Sequence, residues 1–401
     1  MAQRDGERRD AWVLTAARGL RGFGDGLCSL LLPVYLTGLG FSAFRVGVLT
    51  TAMLLGSAAL TLAVGLMGFR APARRLLLFA CILMAATGVG FSQAHAFWPL
   101  MVVGFVGTLN PSNGDVSVFL PLEQALLAQA GPAGRRTERF ARYNLAGAAL
   151  GALGALSLGL MAPLRAATGL SQTALTEGAF LLYGALSLVS AVLYRSLPAT
   201  PVSADAHAPL GPSKGRVFGL AALFSLDSFG SGFMVNSLLA LWLFRRFGLS
   251  LGMAGQFFFW TGLLTAASQL AAPWLARRIG LIRTMVFTHL PANLCAVAVA
   301  FAPNAGVAFV LLVIRAFLSS MDSPARSSYV MAIVTPAERT AAAGVTNVPR
   351  SLASALSPAL AGLIFSMSAF AWPLVIGGGL KAAYDLILLW RFQAVRPPEE
   401  A

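Results

Sequence analysis

The chain has 401 residues, of which 57 % are hydrophobic, 11 % are charged and 41 are glycine. Soluble domains carry about 25 % charged residues and disordered chains are poor in apolar ones, so this composition excludes both and leaves a membrane protein. The net charge of +14 would suggest nucleic acid in a soluble protein, but its placement along the chain explains it otherwise.

A helix needs about 20 apolar residues to cross a hydrocarbon core about 30 Å thick. Breaks at Pro, Gly and charged residues divide the chain into twelve segments of that size, near 12–36, 46–69, 76–93, 98–121, 143–164, 176–195, 217–243, 253–276, 284–302, 305–321, 341–367 and 371–391. The first is interrupted by Arg18, Arg21 and Asp25 and lacks a small-residue cleavage site, so it reads as a span rather than a removable signal. The connections on the side of both termini hold 20 Lys and Arg. The opposite side holds only Arg45, Arg165, Arg245 and Arg246. The positive-inside rule then puts both termini in the cytoplasm, and the charge reports topology rather than nucleic-acid binding.

The stretch 197–216 (LPATPVSADAHAPLGPSKGR) is the one linker-like run, with six segments on either side. The expected domains are therefore a bundle over 1–196, a cytoplasmic linker over 197–216 and a second bundle over 217–401. The halves resemble each other. Gly40-Phe41-Ser42, Gly47, Arg70 and Arg75 match Gly248-Leu249-Ser250, Gly255, Arg278 and Arg283 at an offset of 208, and Arg136-Thr137 and Asn144 match Arg339-Thr340 and Asn347 at 203. Two parallel six-span repeats follow.

At these positions the chain resembles the major facilitator superfamily. Trp274-Leu275-Ala276-Arg277-Arg278-Ile279-Gly280 with Arg283 approaches the family's loop signature between spans 8 and 9, with Arg277 in place of the expected Asp. Gly65 to Arg70 with Arg74-Arg75 is a weaker copy in the first half. Ser357-Pro358-Ala359-Leu360-Ala361-Gly362 in span 11 is similar to a proline–glycine element of antiporters, which in that family lies in span 5. Arg315 in span 10 resembles the family's span 4 arginine. The resemblance implies two six-helix bundles rocking about a midplane cavity.

No phosphate loop, H-E-x-x-H or complete G-x-S-x-G is present, and Cys28, Cys81 and Cys295 have no metal-like spacing, so no enzyme, cofactor or metal is expected. Charges inside a bilayer cost about 2.5 to 3.5 kcal/mol each and mark pathways or structural pairs. Asp25 stands mid-span and reads either as a proton-binding carboxylate or as the i+4 partner of Arg21. Asp227, about ten residues into span 7, the span equivalent to span 1, corresponds to the neighbourhood of Arg21 rather than of Asp25 and is a second candidate. Asn110, Asn113 and Asp115 sit in a Pro- and Gly-interrupted stretch of span 4, read as a cavity wall over a simple kink. Arg315 has no acidic residue one turn away, Arg350 beside Pro349 poses the same question, and Asn236 is a polar candidate in span 7. Arg70, Glu123, Arg277, Arg278, Asp322 and Arg326 are gating candidates near the inner ends. Lys381 and Asp385 read as a structural i, i+4 pair, and His289 as a helix-to-helix hydrogen bonder. The glycine pairs Gly22/Gly26 and Gly147/Gly151 predict close helix packing.

The sequence thus points to an all-α, twelve-span secondary transporter of the inner membrane, a monomer that exchanges a small organic solute for protons in the export direction. Two alternatives stay open: uptake of a small anion through Arg315 and Arg350, and a non-transporting membrane sensor that kept the fold.

Overall fold

The repeated Gly-x-Ser of the two halves builds the same turn twice. In the computed structural model, which describes residues 2–67, 71–111, 118–130, 136–198, 211–335 and 338–393, Gly40 and Gly248 take φ of +81° and +62°. Such left-handed backbone ends a helix without the strain a Cβ would bring. Two residues on, the hydroxyl of Ser42 accepts from Arg45 N at 3.3 Å and that of Ser250 from Met253 N at 3.2 Å, capping the helix that follows.

Among the described residues there are sixteen α-helices: α1 (Ala2–Gly38), α2 (Ala43–Met67), α3 (Ala73–Gln93), α4 (Phe97–Val106), α5 (Phe119–Gln129), α6 (Arg136–Leu156), α7 (Met161–Thr168), α8 (Gln172–Arg195), α9 (Lys214–Gly232), α10 (Asn236–Phe247), α11 (Leu251–Ile279), α12 (Leu281–Val299), α13 (Ala305–Ser319), α14 (Asp322–Ala332), α15 (Arg339–Met367) and α16 (Trp372–Phe392). Nine stretches of described residues are long and apolar enough to cross a membrane. Neither α1, with its buried charges, nor α11 is among them, and α4 is a shorter apolar helix.

Several expected segments differ in detail. The segment expected at 98–121 is broken: α4 stops at Val106, residues 107–111 are not helical, and α5 begins at Phe119. The segment at 217–243 divides at residues 233–235 into α9 and α10. The segment expected to end at 321 continues as α14 to Ala332, because Asp322 opens a new helix where its carboxylate suits the first turn. The fifth begins at Arg136 rather than 143 and passes through a 3-10 turn, Ser157–Leu160, into α7.

The outward faces are apolar and the inward ones often polar, the reverse of a soluble bundle. On α8, Leu188, Val189 and Val192 are exposed while Ser187, Ser190 and Tyr194 are buried. The start of α1 meets the end of α8, where Arg9 donates to Ser196 O at 3.1 Å, and the start of α3 meets the same end through Arg74 and Leu197 O at 3.2 Å. In the second half the start of α9 meets the start of α15. There Glu338 Oε2 accepts from Ser213 Oγ at 2.8 Å and from Thr335 Oγ1 at 2.8 Å, and Oε1 accepts from Gly211 N at 2.5 Å.

Helices of the two halves pack on one another along α2–α15, α6–α11 and α1–α10. Near the Gly40 and Gly248 turns this seam is made of backbone: Gly47 faces the carbonyl of Pro358 and the Cα of Gly362, and Gly255 faces the carbonyl of Ala155. Across it Ala359 N donates to Thr51 Oγ1 at 3.0 Å. Within the first half, Gly22 and Gly26 of α1 rest against the carbonyls of Gly147 and Gly151 of α6, the close packing their spacing predicts.

Gly26→Ala places a methyl on the Gly151 carbonyl and should cost about 1 to 3 kcal/mol, whereas Gly178→Ala meets nothing within 4 Å and should cost nothing; thermal unfolding in detergent compares them. The Thr335 hydroxyl, the Gly211 amide and the Ser213 hydroxyl pull the Glu338 carboxyl down to about 2. Its ionised, hydrogen-bonded form therefore stabilises the fold fully above the ordinary value of 4.5, and that contribution is lost as pH falls toward 2. Glu338→Gln should remove that acid-sensitive part of a melting profile.

Candidate functional site

Arg21 projects from α1 into the first half, 3 % exposed, and pairs with the fully buried Glu123 of α5. The hydroxyls of Tyr143 on α6 and Tyr194 on α8 each donate to the Glu123 carboxylate at 2.5 Å, so three elements besides its own converge on it. The ring of Phe119 lies 4.0 Å from the Arg21 guanidinium carbon and takes up its remaining face. A buried ion pair holds best when its spare lone pairs are satisfied, and here two tyrosines serve the carboxylate and a ring covers the guanidinium, whose buried Nε has no partner among the described residues.

The second half builds a larger cluster of the opposite polarity. Asp227 of α9 accepts from Lys381 Nζ of α16 at 2.8 Å and lies 3.3 Å from Arg326 of α14. Arg326 also pairs with Asp322 one turn before it, and Lys381 donates to Ser231 Oγ at 2.6 Å. His289 of α12 stands between two carboxylates, with Nε2 3.7 Å from Asp227 Oδ1 and Nδ1 2.8 Å from Asp385 Oδ1. Asn293 Nδ2 donates to Asp385 Oδ2 at 2.8 Å. Asp227, His289 and Asp322 each offer a ligand atom within 4.8 Å of the others. The ammonium and guanidinium already held by the same two carboxylates give this cluster fixed cations rather than the open anionic shell a metal requires.

Two sequence expectations are corrected here. Arg21 is not paired locally with Asp25, since the guanidinium reaches Glu123 on another helix. Lys381 and Asp385 do not pair either: the lysine stem extends to Asp227 and Ser231, and Asp385 is taken by His289 and Asn293. Arg21 thereby reaches a fully buried carboxylate where Asp25 is partly exposed, and Lys381 reaches two acceptors at once, Asp227 and Ser231.

Asp25 is partly exposed and makes no hydrogen bond with any described residue. Arg315 is partly exposed too, with a buried Nε that has no partner among the described residues. Arg350 donates to Ser228 Oγ at 3.2 Å and to Asn347 Oδ1 at 3.3 Å. Asn110, 3 % exposed, and Asn236 flank the point where the two broken segments touch: Ser237 N donates to Pro111 O at 3.3 Å. There the loosened backbone is bonded by side chains, Thr108 N donating to Thr87 Oγ1 at 3.2 Å, as irregular backbone at membrane depth requires. Arg277 and Arg278 are exposed, the latter 4.3 Å from the Trp274 ring. Arg70, Asn113 and Asp115 lie outside the described residues. Tyr143, Tyr194 and Asn293 escaped the sequence reading, because a lone hydroxyl or amide in an apolar run carries no spacing signal; only the Arg142-Tyr143-Asn144 run at the start of the fifth segment marks one of them.

The model of the Major Facilitator Superfamily matches residues 14–321. An uncharacterized membrane protein of Saccharomyces cerevisiae, YJR124C, is 26 % identical over 96 % of this chain and 95 % of its own length. Among solved structures, a bacterial homolog of the human lysosomal transporter Spinster in an inward-facing, occupied conformation superposes with a TM-score of 0.76 at 16 % identity, over 96 % of this chain and 97 % of that one. The nucleoside transporter NupG gives 0.72 at 15 % identity, over 96 % and 99 %. At such identities the likeness to both structures is one of fold.

Glu123→Gln should leave the Arg21 charge uncompensated and destabilise the protein by about 3 to 5 kcal/mol, while the double change Arg21→Met with Glu123→Gln should recover part of that loss; chemical denaturation of purified protein measures both.

Proposed function

Because the chain belongs to the Major Facilitator Superfamily, a family of membrane transporters, we propose that it is a proton-coupled secondary transporter that exports a small organic solute by alternating access. Twelve spans with cytoplasmic termini, bundles over 1–196 and 217–401 joined by 197–216, and a monomer in the inner membrane complete that reading. Solved relatives of this fold include a nucleoside transporter and a peptide-bound transporter, so the fold leaves the solute open and the charges of this chain must choose it.

One observation carries the coupling. Of the described carboxylates inside the bundles, Glu123, Asp227, Asp322 and Asp385 are each held by partners, and Asp25 alone makes no hydrogen bond. A partly exposed carboxylate within the electrostatic reach of Arg18 and Arg21 is suited to exchange a proton against a solute group. Glu123, Asp322 and Arg326, read from sequence as gates, are paired inside their own halves, which supports a stiffening role in each bundle. The antiporter-like Pro358–Gly362 element lies on the seam against Gly47, which supports export.

Purified protein should release protons when a transported solute is added from a library, and Asp25→Asn should abolish that release while leaving the fold intact. Solute binding without any proton signal overturns the coupling, and failure to bind or move any solute favours the non-transporting alternative.

A second reading, an anionic solute, rests on Arg315, whose guanidinium makes no hydrogen bond with any described residue. If a carboxylate or phosphate of the solute docks there, Arg315→Gln should weaken binding about 10- to 100-fold for an anion and leave a neutral analogue unchanged. Competition binding with such a pair checks it.

A further inference from the structure

We propose that the groove between the ends of α1 and α10 holds one phospholipid with an anionic headgroup, its phosphate on Arg245 and an acyl chain along the groove. The site takes a lipid rather than the transported solute, and it depends on neither that solute nor Asp25.

The groove lies where the two halves meet, at the end of the molecule marked by the Gly40 and Gly248 turns. Val34 and Thr37, near the end of α1, form one wall, and Leu241, Phe244 and Arg245 of α10 form the other. Gly248, at φ +62°, turns the chain back so that Leu249 and Leu251 close the end. The space enclosed is about 410 Å³, within the range of sites that take small apolar ligands. Thr37 Oγ1 donates within its own helix, to Pro33 O at 2.7 Å and Val34 O at 3.2 Å. Apart from Arg245, the lining side chains are therefore apolar or already bonded.

Arg245 is exposed, stands two residues before the end of the span 214–247, and has no ion-pair or hydrogen-bond partner among the described residues. Its neighbour Arg246 turns elsewhere, 5.6 Å from the Phe247 ring. No Asp or Glu occurs in the connections on this side, 38–43, 94–96, 157–171, 248–250, 300–304 and 368–371, and Glu177, at the start of α8, is bound to His95 at 2.9 Å. A guanidinium at the edge of the apolar belt, beside an apolar groove and without an acid of its own chain, is complemented by a molecule that is anionic at one end and apolar along the other. In a bilayer that molecule is a phospholipid. A soluble anion leaves the groove unfilled, and a lipid without net charge leaves Arg245 uncompensated. Because the two walls belong to different halves, the bound lipid touches both, and it is held only while the ends of α1 and α10 meet.

The test is native mass spectrometry of delipidated full-length protein in detergent, titrated with phosphatidylglycerol or with phosphatidylcholine of the same chains. The expected result is one phosphatidylglycerol retained after loosely held lipid has dissociated, with phosphatidylcholine about 5- to 10-fold weaker and Arg245→Gln weakening phosphatidylglycerol by the same factor. Arg246→Gln removes an equal charge beside the groove and should leave the affinity unchanged, whereas Leu249→Trp, which fills the end of the groove, should weaken both lipids. Excess inorganic phosphate should not displace the bound lipid. Absence of a retained lipid overturns the proposal, as do equal losses in Arg245→Gln and Arg246→Gln, displacement by phosphate, or a dimer that Leu249→Trp dissolves, which would make a second copy the occupant. Because the readout is the mass of lipid on the resting protein, its failure is distinct from a failure of transport or of Asp25 coupling.

Discussion

A charge placed inside a bilayer has to bring its own counter-charge, and the architecture of this protein follows from how each half does so. The first half closes on Arg21 and Glu123, the second on Asp227 with Lys381 and Arg326. Each of these buried pairs lies within one half. Each cluster joins helices that are distant in sequence, so each fixes the relative positions of several helices at once.

The two clusters are related by the repeat and inverted in sign. Glu123 and Arg326 are separated by the same 203 residues as the Arg136-Thr137 and Arg339-Thr340 pair, and each reaches back to the first helix of its half. The two clusters thus hold charges at similar places in the two halves with opposite polarity. The second cluster also holds His289, Lys381 and Asp385, which have no counterpart among the described residues of the first. Its polar interior is accordingly the larger of the two.

Much of the fold was legible because bilayer crossing leaves a length and composition signature. The Gly-x-Ser repeats were legible for a local reason: glycine at a left-handed turn and serine at a cap act over three or four residues. The breaks in the fourth and seventh segments were only partly legible. Pro111 marked the first, but nothing in Phe233-Met234-Val235 marks the second, whose loosened backbone is held by the contact of Ser237 with Pro111. The site was least legible, because spacing identifies neighbours on one helix and says nothing about neighbours on another. Arg21 with Asp25, and Lys381 with Asp385, have the right interval and the right signs, yet in both the long cationic side chain crosses to a carboxylate more than a hundred residues away in sequence.

The seam between the halves has the opposite character. Where Gly47 meets Pro358 and Gly362, and Gly255 meets Ala155, the surfaces in contact are peptide backbone with few side chains to interlock and no charge among them. Such a joint offers little for dissolved salt to screen, so ionic strength has little purchase on it. It is held by close van der Waals fit, which the surrounding lipid can tighten or relax through its lateral pressure. The thickness and tension of a surrounding membrane, more than the salt of the medium, are the physical variables to which such a backbone seam is exposed.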